Sequence, residues 1–265
     1  MNNNNKQDKK TNTNKATNNL ITRFFEILGN TFVILAQTFA FIFKGKINIK
    51  DTLNQMYFIG VQSLPMVLLT VAFSSGVIAL YLANIMVPWG LGSYSGGVVV
   101  LCVTRELAPV LVGVVLSARV ASSIGAEIGT MKVSEQIDAL QTLSVHPVEY
   151  LVVPKVLGGI LIAPFLCILG DLIGVLAGYL VACSCGVAHG GFWATCQSFA
   201  HARDINMGLI KTLWFACAVT VIGSQQGLRT RGGAVGVGQA TTNAVVIATV
   251  TTYVINFMLT YIMFG

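Results

Sequence analysis

Charge is what this sequence has least of. Asp, Glu, Lys and Arg together make up 10% of the 265 residues, whereas roughly a quarter of the residues in a soluble globular domain are charged. No charged residue occurs between Asp51 and Arg105, and none follows Arg231. Both stretches are longer than the roughly 20 apolar residues needed to cross a hydrocarbon core. A lipid bilayer is therefore the solvent that suits this composition.

The sequence also lacks the motif of a nucleotide-hydrolysing enzyme. A phosphate-binding loop needs Gly, four residues and then Gly-Lys-Ser or Gly-Lys-Thr, and no such string occurs. The glycine-rich run at 232–238 offers only a Gly-x-Gly without a preceding strand, which fits close backbone packing better than a nucleotide site. We expect no catalytic residue and no cofactor on this chain, and nothing in it suggests a nucleic-acid partner.

A metal site is not expected either. Residues with suitable side chains gather in one predicted loop, but without a standard pair such as Cys-x-x-Cys; they are Cys183, Cys185, His189, Cys196 and His201. If that loop faces an oxidising compartment, Cys196 could pair with Cys183 or with Cys185. The sequence does not decide between these alternatives.

The hydrophobic content predicts an all-α integral membrane protein. Apolar residues make up 54% of the chain, and the mean hydropathy is +0.74. We divide the chain into a disordered polar tail at 1–19, an interfacial helix with a basic linker at 20–50, and one membrane domain at 51–265. The predicted spans are Gly60–Ile85, Gly97–Ala118, Leu151–Val181, Gly208–Gln225 and Ala244–Phe264.

The first hydrophobic block, Leu20–Phe43, is interrupted by polar residues and is followed by Lys44 and Lys46. This pattern is typical of a helix that lies in the membrane interface. A tilted span is the alternative. The preceding tail is almost wholly Asn, Lys and Thr, a composition too polar to bury a core.

Positive charge predicts the orientation. Eight of the sixteen Lys and Arg residues lie in the first fifty positions, and short cytoplasmic segments are enriched in such cations. We therefore place the N-terminus in the cytoplasm and Gly265 on the far side. The net charge of +6 then reflects contact with anionic headgroups. The two polar connections at 121–150 and 226–243 face the cytoplasm in this topology.

The first of these connections contains an amphipathic pattern. From Ala126 to Pro147, apolar residues recur at helical spacing and charged residues occupy the other faces. One interpretation is a surface helix that ties two spans together. The other is a coupling helix that docks on a separate ATPase, formed by Glu127, Gly129, Thr130, Met131, Lys132, Glu135, Gln136, Asp138 and Leu140.

Charges inside predicted spans are costly and indicate a partner or a wet cavity. Arg105 and Glu106 lie in the second span and Asp171 lies in the third, at a similar predicted depth. We predict a structural ion pair between Arg105 and Asp171. Glu106 then remains available to line a central cavity.

Several of these stretches resemble one known family. The segments 105–111, 118–120 and 126–140, followed by His146-Pro147 and the glycine-rich run before Asn243, closely resemble the MlaE/YrbE permeases. The resemblance extends from about Asp51 to the C-terminus. Two mild departures are Ala108, where the family usually has Gly, and Lys155, where it usually has Arg.

The resemblance implies an ABC-type permease that moves phospholipid. It implies a homodimer, a cytosolic ATPase that binds ATP and Mg, and an MCE-type substrate-binding protein. It also implies a bacterial inner membrane or a plastid inner envelope, and a lipid cavity near Glu106, Leu107 and Pro109. A permease or channel for a small solute, and a membrane assembly factor without transport activity, are the alternatives.

Overall fold

The computed structural model describes residues 29–45 and 48–264 of the chain. The predicted tail at 1–19 and the first nine residues of the block Leu20–Phe43 lie outside the described residues. The described residues form no strand. They form eight helices: α1 Gly29–Phe43, α2 Ile49–Met86, α3 Gly92–Val133, α4 Gln136–Thr142, α5 Val148–Ser184, α6 His189–Phe199, α7 Ala202–Leu228 and α8 Gly233–Phe264.

Five of these helices, α2, α3, α5, α7 and α8, are long and apolar enough to cross a membrane. The prediction of an all-α membrane protein is therefore confirmed. Within the described chain, α1 is apolar but shorter than a span. The choice between an interfacial helix and a tilted span stays a prediction, because residues 20–28 are not described.

The spans extend beyond the predicted bounds. Helix α2 starts at Ile49 rather than Gly60, because Asn48 caps its first turn. The Asn48 Oδ1 accepts a hydrogen bond from the Asp51 backbone N–H at 3.4 Å, and an acidic residue at this position also suits the positive end of the helix. Sequence hydropathy detects the part of a helix in hydrocarbon and misses the turns outside it.

Helix α3 is interrupted by two π-helical segments, Val103–Leu107 and Ser117–Ala121. Such segments widen the helix locally and change the direction of the side chains that follow. The first contains Arg105 and Glu106, and the second contains Arg119. Both irregular segments therefore occur where α3 carries charge inside the bundle.

A glycine stripe allows α5 to pack closely against α2 and α3. Gly170, Gly174 and Gly178 follow one another at four-residue spacing and are all buried on one face of α5. The hydroxyl of Ser75 on α2 donates a 2.6 Å hydrogen bond to the Gly174 carbonyl. Since lipid tails are as apolar as the side chains, close backbone approach and such hydrogen bonds drive helix association in membranes.

Helix α7 is the central helix of the bundle. It packs against α3, α5 and α8, and it is buried at Gly223, Ser224 and Gln225. Helix α8 lies at the periphery, with Phe257 and Tyr261 each 72% exposed. One end of the bundle, which we call the basic end, carries Lys132, Lys155, Arg229 and Arg231. Arg203 lies at the opposite end, in the first turn of α7.

The glycine stripe predicts that alanine is tolerated differently at two positions one helical turn apart. A Cβ at Gly174 would lie 2.8 Å from Val103 Cγ1 and 3.0 Å from Val71 Cγ1, and valine side chains rotate with difficulty. We expect Gly174→Ala to destabilise the fold by about 1 to 3 kcal/mol, measured as a lower midpoint of thermal unfolding in detergent.

Gly170→Ala is the matched control on the same stripe. Its new Cβ would meet Ala108 Cβ at 3.5 Å, an ordinary van der Waals distance, and alanine favours helix over glycine. We expect an unchanged or higher midpoint. Equal losses for both variants would contradict the proposed close packing at Gly174.

Candidate functional site

A polar cluster joins three spans in the interior of the bundle. Its centre is the Glu106 carboxylate on α3. Oε1 accepts hydrogen bonds from Lys211 Nζ at 2.7 Å and Thr260 Oγ1 at 2.9 Å, and Oε2 accepts one from Asn256 Nδ2 at 3.0 Å. Lys211 belongs to α7, whereas Asn256 and Thr260 belong to α8. The cluster therefore ties α3, α7 and α8 together.

Lys211 is completely buried, with 0% of its side chain exposed. Besides Glu106, its ammonium donates to the Arg105 carbonyl at 2.9 Å and to Thr260 Oγ1 at 2.8 Å. An ammonium has three N–H donors, and here there are three acceptors. A charged lysine is tolerated at this position because its donors and its charge are both satisfied.

The sequence around Arg105 explains why its carbonyl is available. In a regular α-helix this carbonyl would accept from the backbone N–H four residues later, which is Pro109, and proline has no N–H. Gly208 lets α7 approach at this point, since a Cβ there would lie 2.6 Å from the Thr104 carbonyl oxygen and 3.1 Å from Pro109 Cγ. Lys211, one turn further along α7, donates to this carbonyl.

The predicted ion pair between Arg105 and Asp171 is wrong. Arg105 Nε donates instead to Asp204 Oδ1 at 2.9 Å. Asp204 is in the first turn of α7, where the helix dipole favours a carboxylate. Because α7 rather than α5 packs on this side of α3, a similar depth in the membrane did not bring Arg105 and Asp171 together.

Asp171 is buried on α5, and no cation among the described residues forms an ion pair with it. Its Oδ2 lies 4.0 Å from the Cys167 Sγ, and its Oδ1 has no hydrogen-bond partner in the described part of the chain. The depth in the membrane predicted from the sequence could not show which helix this side chain faces. On α5 it directly follows Gly170, a member of the glycine stripe that packs against α2 and α3.

The predicted cavity residues have different environments. Pro109 is buried and Leu107 is half-buried, whereas the Glu106 side chain keeps 40% exposure. The ion pair between Glu106 and Lys211 was not predicted from the sequence. One edge of the Glu106 side chain still faces outside the single chain, so its cavity role stays a prediction.

Sequence reasoning missed four members of this cluster: Asp204, Lys211, Asn256 and Thr260. A signal was present for Lys211, which is a cation inside the predicted span Gly208–Gln225. Asn256 and Thr260 are four residues apart and therefore share one face of a span without charge. Asp204 precedes its predicted span, so hydropathy did not mark it.

The amphipathic helix predicted within 126–147 is divided in the structure. Helix α3 ends at Val133, Glu135 takes a left-handed conformation with φ of 60°, and the short helix α4 follows. The break reorients α4 because a left-handed residue cannot continue a right-handed helix.

Helix α4 ends in a Schellman motif. The Val145 N–H donates to the Leu140 carbonyl at 3.0 Å, and the Ser144 N–H donates to the Gln141 carbonyl at 3.0 Å. Ser144 is left-handed with φ of 61°, a position that glycine usually fills. Both ends of α4 are therefore fixed by backbone geometry, which makes this segment a defined projection from the basic end.

Two ion pairs lie at this end of the bundle. Lys132 Nζ lies 2.7 Å from Asp138 Oδ1, across the break between α3 and α4. Lys155 Nζ, 3% exposed, lies 2.6 Å from Glu127 Oε2 and joins α5 to α3. Three of the predicted coupling residues therefore have partners within the chain.

The other predicted coupling residues fall into three groups. Gly129 is buried, since a Cβ there would lie 2.9 Å from Thr230 Oγ1. Met131 and Leu140 are half-buried against the core. Thr130, Glu135 and Gln136 are exposed. The exposed residues of this set therefore lie on both sides of the break between α3 and α4.

No group of three metal-ligating side chains lies close enough to hold a metal ion in the described part of the chain. All six cysteines are described, and each is a free thiol in this structure. Near the predicted loop, the Tyr179 hydroxyl and the His189 Nδ1 are 2.9 Å apart and share a hydrogen bond. His189 therefore has a local partner at the start of α6.

The buried pair predicts how charge mutations affect stability. Lys211→Met leaves the Glu106 carboxylate without its cation, and breaking a buried pair from one side costs about 3 to 5 kcal/mol. We expect the free energy of unfolding to fall by an amount near the lower value, because the Glu106 side chain is 40% exposed. Thermal unfolding in detergent measures it, and Lys50→Met, at an exposed lysine of α2, is the matched control.

A double variant distinguishes charge pairing from packing. Glu106→Gln combined with Lys211→Met removes both charges, so we expect it to be more stable than Lys211→Met alone. If the losses of stability in Glu106→Gln and in Lys211→Met simply add in the double variant, the Glu106–Lys211 ion pair does not stabilise the bundle.

Comparison with known proteins identifies the family. A sequence profile described as Permease MlaE matches residues 52–262. A probable ABC transporter permease protein of Synechocystis sp. is 38% identical over 94% of this chain and 95% of its own length. A protein of the same description from Rickettsia felis is 41% identical over 80% of this chain and 82% of its own.

A plant relative extends this similarity. The chloroplastic protein TRIGALACTOSYLDIACYLGLYCEROL 1 of Arabidopsis thaliana is 34% identical over 88% of this chain and 67% of its own length. The profile match includes the polar cluster and all but the outermost residues of the five spans. This multi-pass membrane protein therefore belongs to the MlaE family of ABC transporter permeases.

Proposed function

We propose that the chain is the membrane-spanning subunit of a phospholipid transporter, driven by ATP hydrolysis on a separate subunit. The observation that carries this proposal is the polar cluster around Glu106 and Lys211. Charged groups inside spans are expensive and mark substrate pathways. The name of the plant relative, which contains that of a galactolipid, supports a lipid as the class of substrate.

The open edge of the cluster suits an amphiphile. The side chains of Arg105 and Glu106 each keep 40% exposure. The buried atoms Asp204 Oδ2 and Asn256 Oδ1 have no hydrogen-bond partner in the described chain. At this edge the Arg105 guanidinium can bind the phosphate of a headgroup and the Glu106 carboxylate can accept hydrogen bonds from its polar part, while the apolar side chains around them accept acyl chains.

A second copy of the chain completes the proposed cavity. Along α8, Val246, Val250, Phe257 and Tyr261 are all more than half exposed, and the same helix carries Asn256 and Thr260 of the cluster. A homodimer that packs α8 against its equivalent would bury this apolar face. It would also enclose the open edge of Glu106 between two chains.

The ATPase is proposed to dock at the basic end, on the exposed start of α4. This chain has no phosphate-binding loop, so ATP and Mg belong to that partner. An MCE-type protein is proposed to deliver or receive lipid at the opposite end. The basic end then faces the cytoplasm or stroma, in a bacterial inner membrane or a plastid inner envelope.

Docking is tested at Glu135. This side chain is exposed and outside the ion pairs of the segment, so Glu135→Lys should leave the fold intact and reverse the charge of the contact. We expect less ATPase to co-purify with the permease. Arg203→Glu, an exposed charge reversal at the opposite end, should retain the ATPase fully. Equal retention by both variants would remove α4 as the docking site.

Transport is tested at the cluster with the complete complex in proteoliposomes. Glu106→Gln keeps the shape of the side chain and removes its charge, so we expect ATP-dependent movement of a fluorescent phospholipid to fall by about tenfold or more, the factor that corresponds to about 1.4 kcal/mol. ATP hydrolysis and complex yield serve as controls for assembly.

A control variant and two outcomes distinguish a loss of phospholipid transport from a loss of its coupling to ATP hydrolysis. Lys50→Gln, which removes an exposed charge outside the cluster, should transport at the wild-type rate. Wild-type complex that hydrolyses ATP but moves no phospholipid would refute the proposed substrate. Unchanged transport by Glu106→Gln would instead remove the cluster from the pathway.

A further inference from the structure

Arg119 differs from the other cations that lie along the spans. Arg105, Lys155 and Lys211 each contact a carboxylate, at 2.9, 2.6 and 2.7 Å respectively. Among the described residues, no carboxylate pairs with Arg119. Its charge is therefore balanced by nothing within the described chain, although charges at such positions normally have a counter-ion.

The contacts of Arg119 are with neutral groups on α2. Nη1 donates to Ser63 Oγ at 2.8 Å and to the Phe58 carbonyl at 3.3 Å, and Nη2 donates to Gln62 Oε1. The guanidinium also lies 5.3 Å from the centroid of the Phe58 ring. These contacts fix the orientation of the guanidinium on one side and leave its charge uncompensated.

Two N–H donors of Arg119 remain available. A guanidinium has five, and the contacts with α2 use two on Nη1 and one on Nη2. The Nε–H and the second Nη2–H have no acceptor in the described chain. Arg119 is half-buried, and its Nε is not among the buried atoms without a partner. A planar pair of donors is the geometry that binds phosphate or carboxylate in a bidentate manner.

The position of Arg119 selects the kind of anion. It directly follows the predicted span Gly97–Ala118, and a helix rises about 33 Å over the 22 residues from Gly97 to Arg119, which matches a hydrocarbon core of about 30 Å. Its contacts Phe58 and Gln62 flank Gly60, where the predicted span in α2 begins. Both helices place the guanidinium at the boundary between hydrocarbon and headgroups, on the side of the basic end.

We propose that Arg119, held by Gln62 and Ser63, binds the phosphate of a phospholipid headgroup in the leaflet at the basic end. The phosphate supplies the counter-charge that the described chain does not. The acyl chains would lie along the exposed apolar face of α2, where Tyr57 and Val61 are 66% and 52% exposed. This site is separate from the Glu106 cluster, and it does not require phospholipid to be the transported substrate.

Native mass spectrometry of the purified chain tests the proposal. The protein is delipidated in detergent and titrated with phosphatidylglycerol, and the bound lipid is counted per chain. We expect Arg119→Gln to lose one bound lipid or to bind it about tenfold more weakly. Arg119→Lys keeps the charge without the paired donors, so its affinity for the lipid should lie between those of the wild type and Arg119→Gln. Lys50→Gln, an exposed charge loss near the same end, should bind like the wild type.

The outcomes separate this site from its alternatives. If Arg119→Gln binds lipid like the wild type and only unfolds at a lower temperature, Arg119 is merely a clamp between α2 and α3 and the proposal is wrong. If inorganic phosphate displaces the lipid at equal concentration, the site takes a soluble anion and the lipid assignment fails. If the lipid count is unchanged but Arg119→Gln dissociates a dimer, the missing anion belongs to a second copy of the chain.

Discussion

The bond between Glu106 and Lys211 is the constraint on which the arrangement of three spans depends. Lys211 is completely buried and cannot be solvated by water, so its ammonium requires the Glu106 carboxylate at hydrogen-bond distance. Neighbouring features of the sequence serve the same contact. Pro109 has no N–H to donate to the Arg105 carbonyl, and Gly208 brings α7 close enough for Lys211 to reach that carbonyl. Polar side chains on α8 complete the shell.

The remaining spans are held by a different interaction. Helix α5 has few charges and packs through glycine, with Ser75 hydrogen-bonded to the Gly174 carbonyl. Without a hydrophobic driving force between apolar helices in lipid, small residues provide the contact area and polar groups provide direction. The bundle therefore combines an ion-paired half, formed by α3, α7 and α8, with a close-packed half formed by α2 and α5.

Helix α3 connects the regions that carry the proposed functions. Along one helix it presents the charged pair at 105–106, then Arg119, then the Glu127 contact to α5, and it continues through the break at Glu135 into α4. Its two π-helical segments coincide with the first two of these positions. If the ATPase docks on α4, displacement of that segment has a direct covalent route to the Glu106 cluster through α3.

The sequence by itself determined the membrane class, the all-α fold and the number of spans. These follow from hydropathy, which is a local property, and from the rule that only helices or closed barrels satisfy their backbone in lipid. It also marked Arg105, Glu106, Asp171 and the polar segment after α3 as unusual. Lys211 carried the same kind of signal within its own span.

Only the tertiary structure decided which charges meet. Arg105 pairs with Asp204 and Asp171 does not, because the pairing depends on which helix packs against each face of α3, and no pattern within one span contains that information. The break at Glu135 was hidden for a related reason, since any residue can adopt a positive φ when its surroundings compensate the strain. Composition determined that the chain lies in lipid and is helical, whereas long-range packing determined which partner each polar side chain meets.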